Sequence, residues 1–184
     1  MQNLSVQVNQ PTQISPRLTT IRLWGAKDSG ILQLIVRRPN PDEREILETG
    51  ELNETEGLAG DCWNNYGKVY LDAQIAIMNS RCVALLAQDE NRWQLAGDQL
   101  YIDLDLSDEN LPIGTKLQIG SAILETTATP HNGCKKFVER FGLDAMKFVN
   151  SPIGKQLHLR GIYAKVVQSG VINKGDSVKK LLSK

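Results

Sequence analysis

A mainly β, barrel-like domain with a few short helices is the fold that this sequence predicts. Apolar residues recur in short alternating runs instead of long helical stripes, Gly- and Asp-rich turn signals separate those runs, and few segments carry helix start and stop chemistry. At 184 residues the chain is long enough for one core and too short for two.

Thr20 to Trp24 and Ile31 to Val36 flank Gly25-Ala26-Lys27-Asp28-Ser29-Gly30 and read as a hairpin. Ser80 is placed to cap a short helix through about Gln88, with Val83, Leu86 and Ala87 facing inward. Leu100, Ile102, Leu104 and Leu106 alternate with Tyr101, Asp103 and Asp105, a period of two that predicts a strand with its acids in water. Leu117 to Ile119 and Ala122 to Thr129 flank Gly120-Ser121, whose Gly suits the positive φ of a II′ turn. A second helix begins near Asn132, carries Phe137, Val138 and Phe141 and ends at Gly142. A third, Leu143 to Val149, is stopped by Ser151-Pro152. Leu157 and Leu159 alternate with His158 and Arg160; Gly161 then intervenes before Ile162, Ala164 and Val166, which predicts a strand bent at a bulge. Residues 1–19 read as an N-terminal extension, 20–176 as the domain and 177–184 as a tail.

Composition narrows the function classes. The longest purely apolar runs, such as Val83 to Ala87, fall far short of the ~20 residues that span a bilayer, and the N-terminus lacks the basic and apolar regions of a signal peptide. The expectation is a soluble, cytoplasmic protein with no membrane partner. Three cysteines, Cys62, Cys82 and Cys134, do not make a disulfide framework and suit a reducing compartment. The net charge of zero hides an asymmetry: residues 1–134 hold 10 Lys+Arg against 18 Asp+Glu, whereas residues 135–184 hold 11 against 3. Either the two parts pair with one another, or the basic part forms a docking surface for an anion. Nucleic acid is disfavoured, because aromatics are only 5% and no long Lys/Arg run is present.

The segment Pro130-His131-Asn132-Gly133-Cys134-Lys135-Lys136-Phe137 is the strongest site candidate. With Asn132 as N-cap, Cys134 falls at the second helical position, where unpaired N–H groups and the helix dipole favour a thiolate, and Lys135, Lys136 and His131 add to the effect. The alternative is a small core hydrophobe, which the polar neighbours argue against. His131 is either a general base for Cys134 or a hydrogen-bonding loop residue. Cys82 reads as structural and Cys62, beside Trp63, as ambiguous. Two His and three Cys without paired spacing argue against a closed zinc site. Arg160 reads either as a solvated side chain or as an anion clamp, since its guanidinium fork matches phosphate oxygens. Asp61, in Gly57-Leu58-Ala59-Gly60-Asp61, and Glu109-Asn110-Leu111-Pro112 read as turn and cap chemistry.

In order along the chain, the GLxGD turn at Gly57 to Asp61, Asn79-Ser80-Arg81, Asp98-Gln99-Leu100, the ENL-P-x-G element at Glu109 to Gly114, the L-x-I-G turn at Leu117 to Gly120 and the Cys134 segment resemble the MOSC domain. That module is named for the C-terminal part of molybdenum cofactor sulfurase. The likeness is strongest to small stand-alone members, through Pro130 to Phe137, Arg140 to Gly142, Phe148 to Gly154 and Leu159 to Gly161. The resemblance implies a barrel-like β fold, the molybdenum cofactor (molybdopterin) as ligand, and Cys134 as the residue that ligates molybdenum or carries sulfane sulfur. Many members have GDxH where this chain has Gly60-Asp61-Cys62-Trp63, so the role of that His is absent or altered here.

The expected function is therefore molybdenum cofactor binding with Cys134 as metal and sulfur ligand. Asn132, Gly133, Lys135, Lys136, Arg140 and Arg160 are the candidate cofactor contacts. Reduction of N-hydroxylated compounds is the enzymatic version and requires a redox partner. A small-molecule ligand is expected; the alternatives are a persulfide carrier fed by a sulfur donor protein, and a non-catalytic binding or interaction module that uses the acidic and basic faces.

Overall fold

A computed structural model describes residues 25–63 and 70–182. The described chain contains β1 (Ser29–Arg37), β2 (Glu45–Leu47), β3 (Thr49–Asn53), β4 (Gly57–Leu58), β5 (Ile75–Asn79), β6 (Leu100–Ile102), β7 (Lys116–Ile119), β8 (Ala122–Thr126), β9 (Ile162–Gln168), β10 (Gly170–Asn173) and β11 (Ser177–Leu181). Four α-helices join them: α1 (Ser80–Ala87), α2 (Lys135–Phe141), α3 (Leu143–Val149) and α4 (Pro152–Gln156). In the main sheet β11, β7, β8, β9, β5, β6 and β1 run side by side, and a further pairing of β11 with β1 closes these seven strands into a barrel. β2 hangs on the free part of β1, and β10, β3 and β4 form a small second sheet.

Packing explains the closure. Every barrel strand sends alternate apolar side chains inward, among them Leu32, Ile77, Leu100, Leu117, Leu124, Ala164 and Val178, and all of these are fully buried. A register shift between Leu32 and Leu34 lets Ile35 return to the interior three residues after Leu32. A second cluster lies outside the barrel wall, where Met78, Tyr101, Cys82 and Val83 meet Phe137, Val149, Leu157 and Leu159. These helices and loops cover the face of the barrel that carries the site.

The Gly120-Ser121 hairpin forms as expected, with Gly120 at φ +54° and Ile119 paired to Ala122. α3 keeps the predicted bounds. α1 ends on Gln88 in the left-handed conformation, but its N-cap is Asn79, whose side chain accepts from the Arg81 and Cys82 N–H groups. The proposed strand Thr20 to Trp24 lies outside the described residues.

Three expectations are corrected. The acids of the Leu100–Leu106 run are not all in water: β6 ends at Ile102, Asp105 is buried with Oδ1 accepting from the Ser107 N–H, and Tyr101 on the outer face is covered, its hydroxyl donating to Trp93 O. Both faces of β6 are needed for packing, so the alternation of hydrophobic and polar letters did not separate core from solvent. Leu157 to Arg160 is not a strand. Ser151 caps α4 by accepting from the Gly154 N–H, and the chain then turns through His158 at φ +48° before β9 starts beyond Gly161. Nor is 177–181 a free tail, because it forms β11, the strand that closes the barrel.

Candidate functional site

A cleft of about 470 Å³ opens beside the start of α2, within the range of small-molecule sites. Its walls come from the chain after β1, Cys62 and Trp63 just past the GLAGD turn, the segment leading into β5, the turn before β6, the 131–140 segment and the first part of β9. Cys134 lies on this wall and is exposed. Asn132 lines the cleft but does not cap the helix. Cys134 is itself the N-cap, its carbonyl accepting from the Val138 N–H at 3.1 Å, and no side chain caps the turn. The cause is one residue upstream. Gly133 donates its N–H to Asn150 Oδ1 at 3.0 Å, which draws the 132–133 backbone against α3 and delays the helix by two residues. A Cβ on Gly133 would stand 3.1 Å from Met146 Cγ, so glycine permits this close approach.

The floor is built from buried ion pairs. Arg160 Nη1 donates to both Asp98 oxygens at 2.9 and 2.8 Å, and its Nη2 to Ala96 O at 3.0 Å. Phe137 supports it, with the guanidinium carbon 5.0 Å from the ring centre. Burial raises the Asp98 carboxyl above its usual range, against the pull of Arg160. Asp61, the last residue of GLAGD, is likewise no simple turn residue: its side chain is 0% exposed and holds Arg38 through Nε at 2.9 Å and Nη2 at 2.7 Å.

His131 closes one side of the cleft. Its ring stacks on Tyr163 with centroids 4.2 Å apart, and Nδ1 stands 3.5 Å from Asp98 Oδ1, buried without a hydrogen bond. Burial, followed by the charges of Arg160 and Arg38, pushes its pKa well below the usual range, so the imidazole is neutral.

The structure brings His131, Asn132, Cys134, Lys136, Arg140 and Arg160 to one cleft. Lys135 is exposed and outside its lining, and Gly133 acts through backbone placement. Arg160 is committed to Asp98, Lys136 Nζ lies 3.1 Å from exposed Asp42, and Arg140 Nη1 donates to Leu95 O at 2.9 Å. Pairing between the acidic and basic parts of the chain also occurs elsewhere, as in Lys165–Glu125 and Lys174–Glu48. Sequence reading missed Arg38, Arg44, Asp98 and Tyr163, and it left Cys62 and Trp63 outside the site although both line the cleft. Their side chains converge only through long-range pairing, so no local spacing marks them.

Among the described residues no group of three or more His, Cys, Asp or Glu side chains is placed to hold a metal ion. A metal held by the single thiol of Cys134 must therefore bring its remaining donors with it. Also among the described residues, no helix is long and apolar enough to cross a membrane.

Comparison with known proteins agrees with this architecture. The barrel is similar to the YuaD protein of Bacillus subtilis (12% identity, TM-score 0.59, covering 85% of this chain and 97% of that one). It is also similar to YiiM of Geobacillus stearothermophilus (16%, TM-score 0.59, 84% and 75%) and YiiM of Escherichia coli (17%, TM-score 0.57, 84% and 71%). At these identities the likeness is one of fold. No curated protein matches the sequence. The profile of the MOSC domain matches residues 72–179, more than half of the chain, which places Cys134, His131 and Asp98 inside the match. The chain belongs to the MOSC domain family.

Proposed function

We propose that this protein binds the molybdenum cofactor in the cleft, with the Cys134 thiolate as the protein's ligand to molybdenum. The observation that carries the reading is an exposed thiol on the wall of a cleft whose charged lining, among the described residues, is cationic: Arg38, Arg44, Lys136, Arg140 and Arg160. The MOSC family is associated with this cofactor, and the donor chemistry fits it. A soft thiolate suits a thiophilic metal, the cofactor supplies the other sulfur donors, and cationic walls suit its phosphate.

When bound, the cofactor would supply two-electron redox chemistry. The chain's own residues would do the rest. Cys134, exposed on the cleft wall, would hold the metal, and Lys136 and Arg140 would contribute positive potential in the same cleft. His131, neutral and stacked on Tyr163, would line the cleft beside the ligand without adding charge. The buried Asp98–Arg160 pair holds the floor rigid beneath it. With electrons from a redox partner, N-hydroxylated compounds are the substrates we favour. Three free cysteines suit a reducing, cytoplasmic setting.

The test is expression in a host that makes the cofactor, followed by metal analysis of wild type and Cys134→Ala. Molybdenum in the wild type and little in the variant supports the reading; equal content in both removes Cys134 as ligand. The exposure of Cys134 also favours a second reading, a persulfide carrier loaded by a sulfur donor protein. Mass spectrometry after incubation with a sulfur donor would then find persulfide on Cys134 in protein that holds no molybdenum.

A further inference from the structure

Asn132-Gly133 is the one Asn-Gly pair in the sequence. Before a glycine, an asparagine side-chain amide is open to attack by the next backbone nitrogen, because glycine has no Cβ to obstruct the approach and its backbone reaches the cyclic geometry at little cost. Asn132 is exposed, lies between β8 and α2, and does not cap the helix. Other asparagines are held differently. Asn79 and Asn110 are buried, Asn79 Nδ2 donating to Leu104 O at 2.7 Å and Asn110 Nδ2 to Lys27 O and Asp105 O at 2.7 and 2.8 Å.

The attacking nitrogen is restrained by a third asparagine. Gly133 donates its N–H to Asn150 Oδ1 at 3.0 Å, and Asn150 Nδ2 returns to the Gly133 carbonyl at 3.4 Å. Asn150 is the C-cap of α3 and is itself fixed by Met146, whose Sδ accepts from Nδ2 at 3.2 Å. The Gly133 nitrogen must give up its proton to water before it can attack, and this hydrogen bond keeps that proton on a protein acceptor. Packing in turn retains the glycine, since a Cβ there would press on Met146 Cγ. The close approach to α3 therefore preserves the residue that makes Asn132 reactive, and Asn150 guards it.

We propose that Asn132 is a deamidation site in the native protein and that Asn150 sets its rate by holding the Gly133 N–H. When the hydrogen bond opens, the Gly133 nitrogen loses its proton to water and bonds to Asn132 Cγ; the Cγ–Nδ2 bond breaks and ammonia leaves. Water then opens the cyclic imide at either carbonyl, giving aspartate or isoaspartate with no change in oxidation state. Each product places a carboxylate on a wall whose other charged lining, among the described residues, is cationic. Isoaspartate also adds a methylene to the main chain between His131 and Gly133. The reaction requires neither metal nor substrate, so it is independent of the reading of Cys134 as a ligand.

Prolonged incubation at mildly alkaline pH tests the proposal, with protein from a host lacking the cofactor pathway. Peptide mass spectrometry locates the amide-to-acid change, and methyl transfer by an isoaspartyl methyltransferase detects isoaspartate. Wild type should convert at Asn132 while Asn79 and Asn110 stay intact, and Asn132→Gln should accept no methyl groups at this position. Asn150→Ala, which lacks the acceptor, should convert at least about threefold faster, whereas Asn150→Asp, which keeps an oxygen for the Gly133 N–H, should stay near the wild-type rate. Those two variants separate loss of the hydrogen bond from loosening of the fold. An Asn132 that remains intact in native wild type but converts in the urea-unfolded chain overturns the proposal. Equal rates in wild type and Asn150→Ala, or equal acceleration in both Asn150 variants, overturn the role of Asn150.

Discussion

Arg160 sets one nitrogen, Nη1, against both oxygens of Asp98 at 2.9 and 2.8 Å, with the carboxylate side chain fully buried beneath the cleft. The two residues are 62 positions apart, so the pair ties the turn before β6 to the start of β9. Removing one partner leaves a buried charge without compensation. We expect Asp98→Ala to lose about 3–5 kcal/mol in urea unfolding, and Asp98→Ala combined with Arg160→Met to lose less than the two single variants summed. Strict additivity would contradict coupling between them.

His131 predicts the sign of a pH dependence. Burial and the charges of Arg160 and Arg38 keep its imidazole neutral in the fold, whereas in the unfolded chain it takes up a proton below about 6.5. The unfolded state then binds more protons, so stability present above 6.5 is lost as pH falls toward the lowered folded-state value, by up to about 1.4 kcal/mol per pH unit. His131→Phe keeps the stacking on Tyr163 and should remove this contribution. Urea midpoints between about pH 8 and pH 5 measure it; parallel slopes for both proteins would contradict the assignment.

The thiols should separate by reactivity. Burial pushes the Cys82 thiol up to about 12, and its Sγ donates to Leu159 O at 3.2 Å, while Cys134 is exposed. Peptide mass spectrometry after brief iodoacetamide treatment of native protein should find Cys134 carbamidomethylated and Cys82 untouched until denaturant is added. Early labelling of Cys82 would show that the outer cluster opens.

Gly161 joins stability to the site. Its φ is +111°, and a Cβ there would overlap the Ile77 carbonyl oxygen and stand 3.0 Å from His131 Nδ1. Gly161→Ala should cost at least about 2 kcal/mol in thermal or urea unfolding. An unchanged midpoint would mean that β5 and β9 part without penalty.

Much of the barrel was legible because its signals are local. Gly120-Ser121 carries its own turn chemistry, and Leu143 to Val149 is bracketed by Gly142 and Ser151-Pro152. The Leu157 to Arg160 alternation misled because its two leucines are buried by the outer cluster while the backbone turns; equal burial arises from two different geometries. Cys134 was legible in its polar surroundings, though not as the N-cap, since the hydrogen bond from Gly133 to Asn150 spans 17 positions. Arg38 and Asp98 were not legible, because their roles depend on Asp61 and Arg160 arriving from elsewhere in the chain.

The proposed bond between Cys134 and molybdenum is tested most directly by X-ray absorption at the molybdenum edge on protein purified from a cofactor-producing host, as wild type and as Cys134→Ser. The wild-type spectrum should show one more sulfur around molybdenum than the variant. An identical sulfur shell in the two proteins would contradict the assignment.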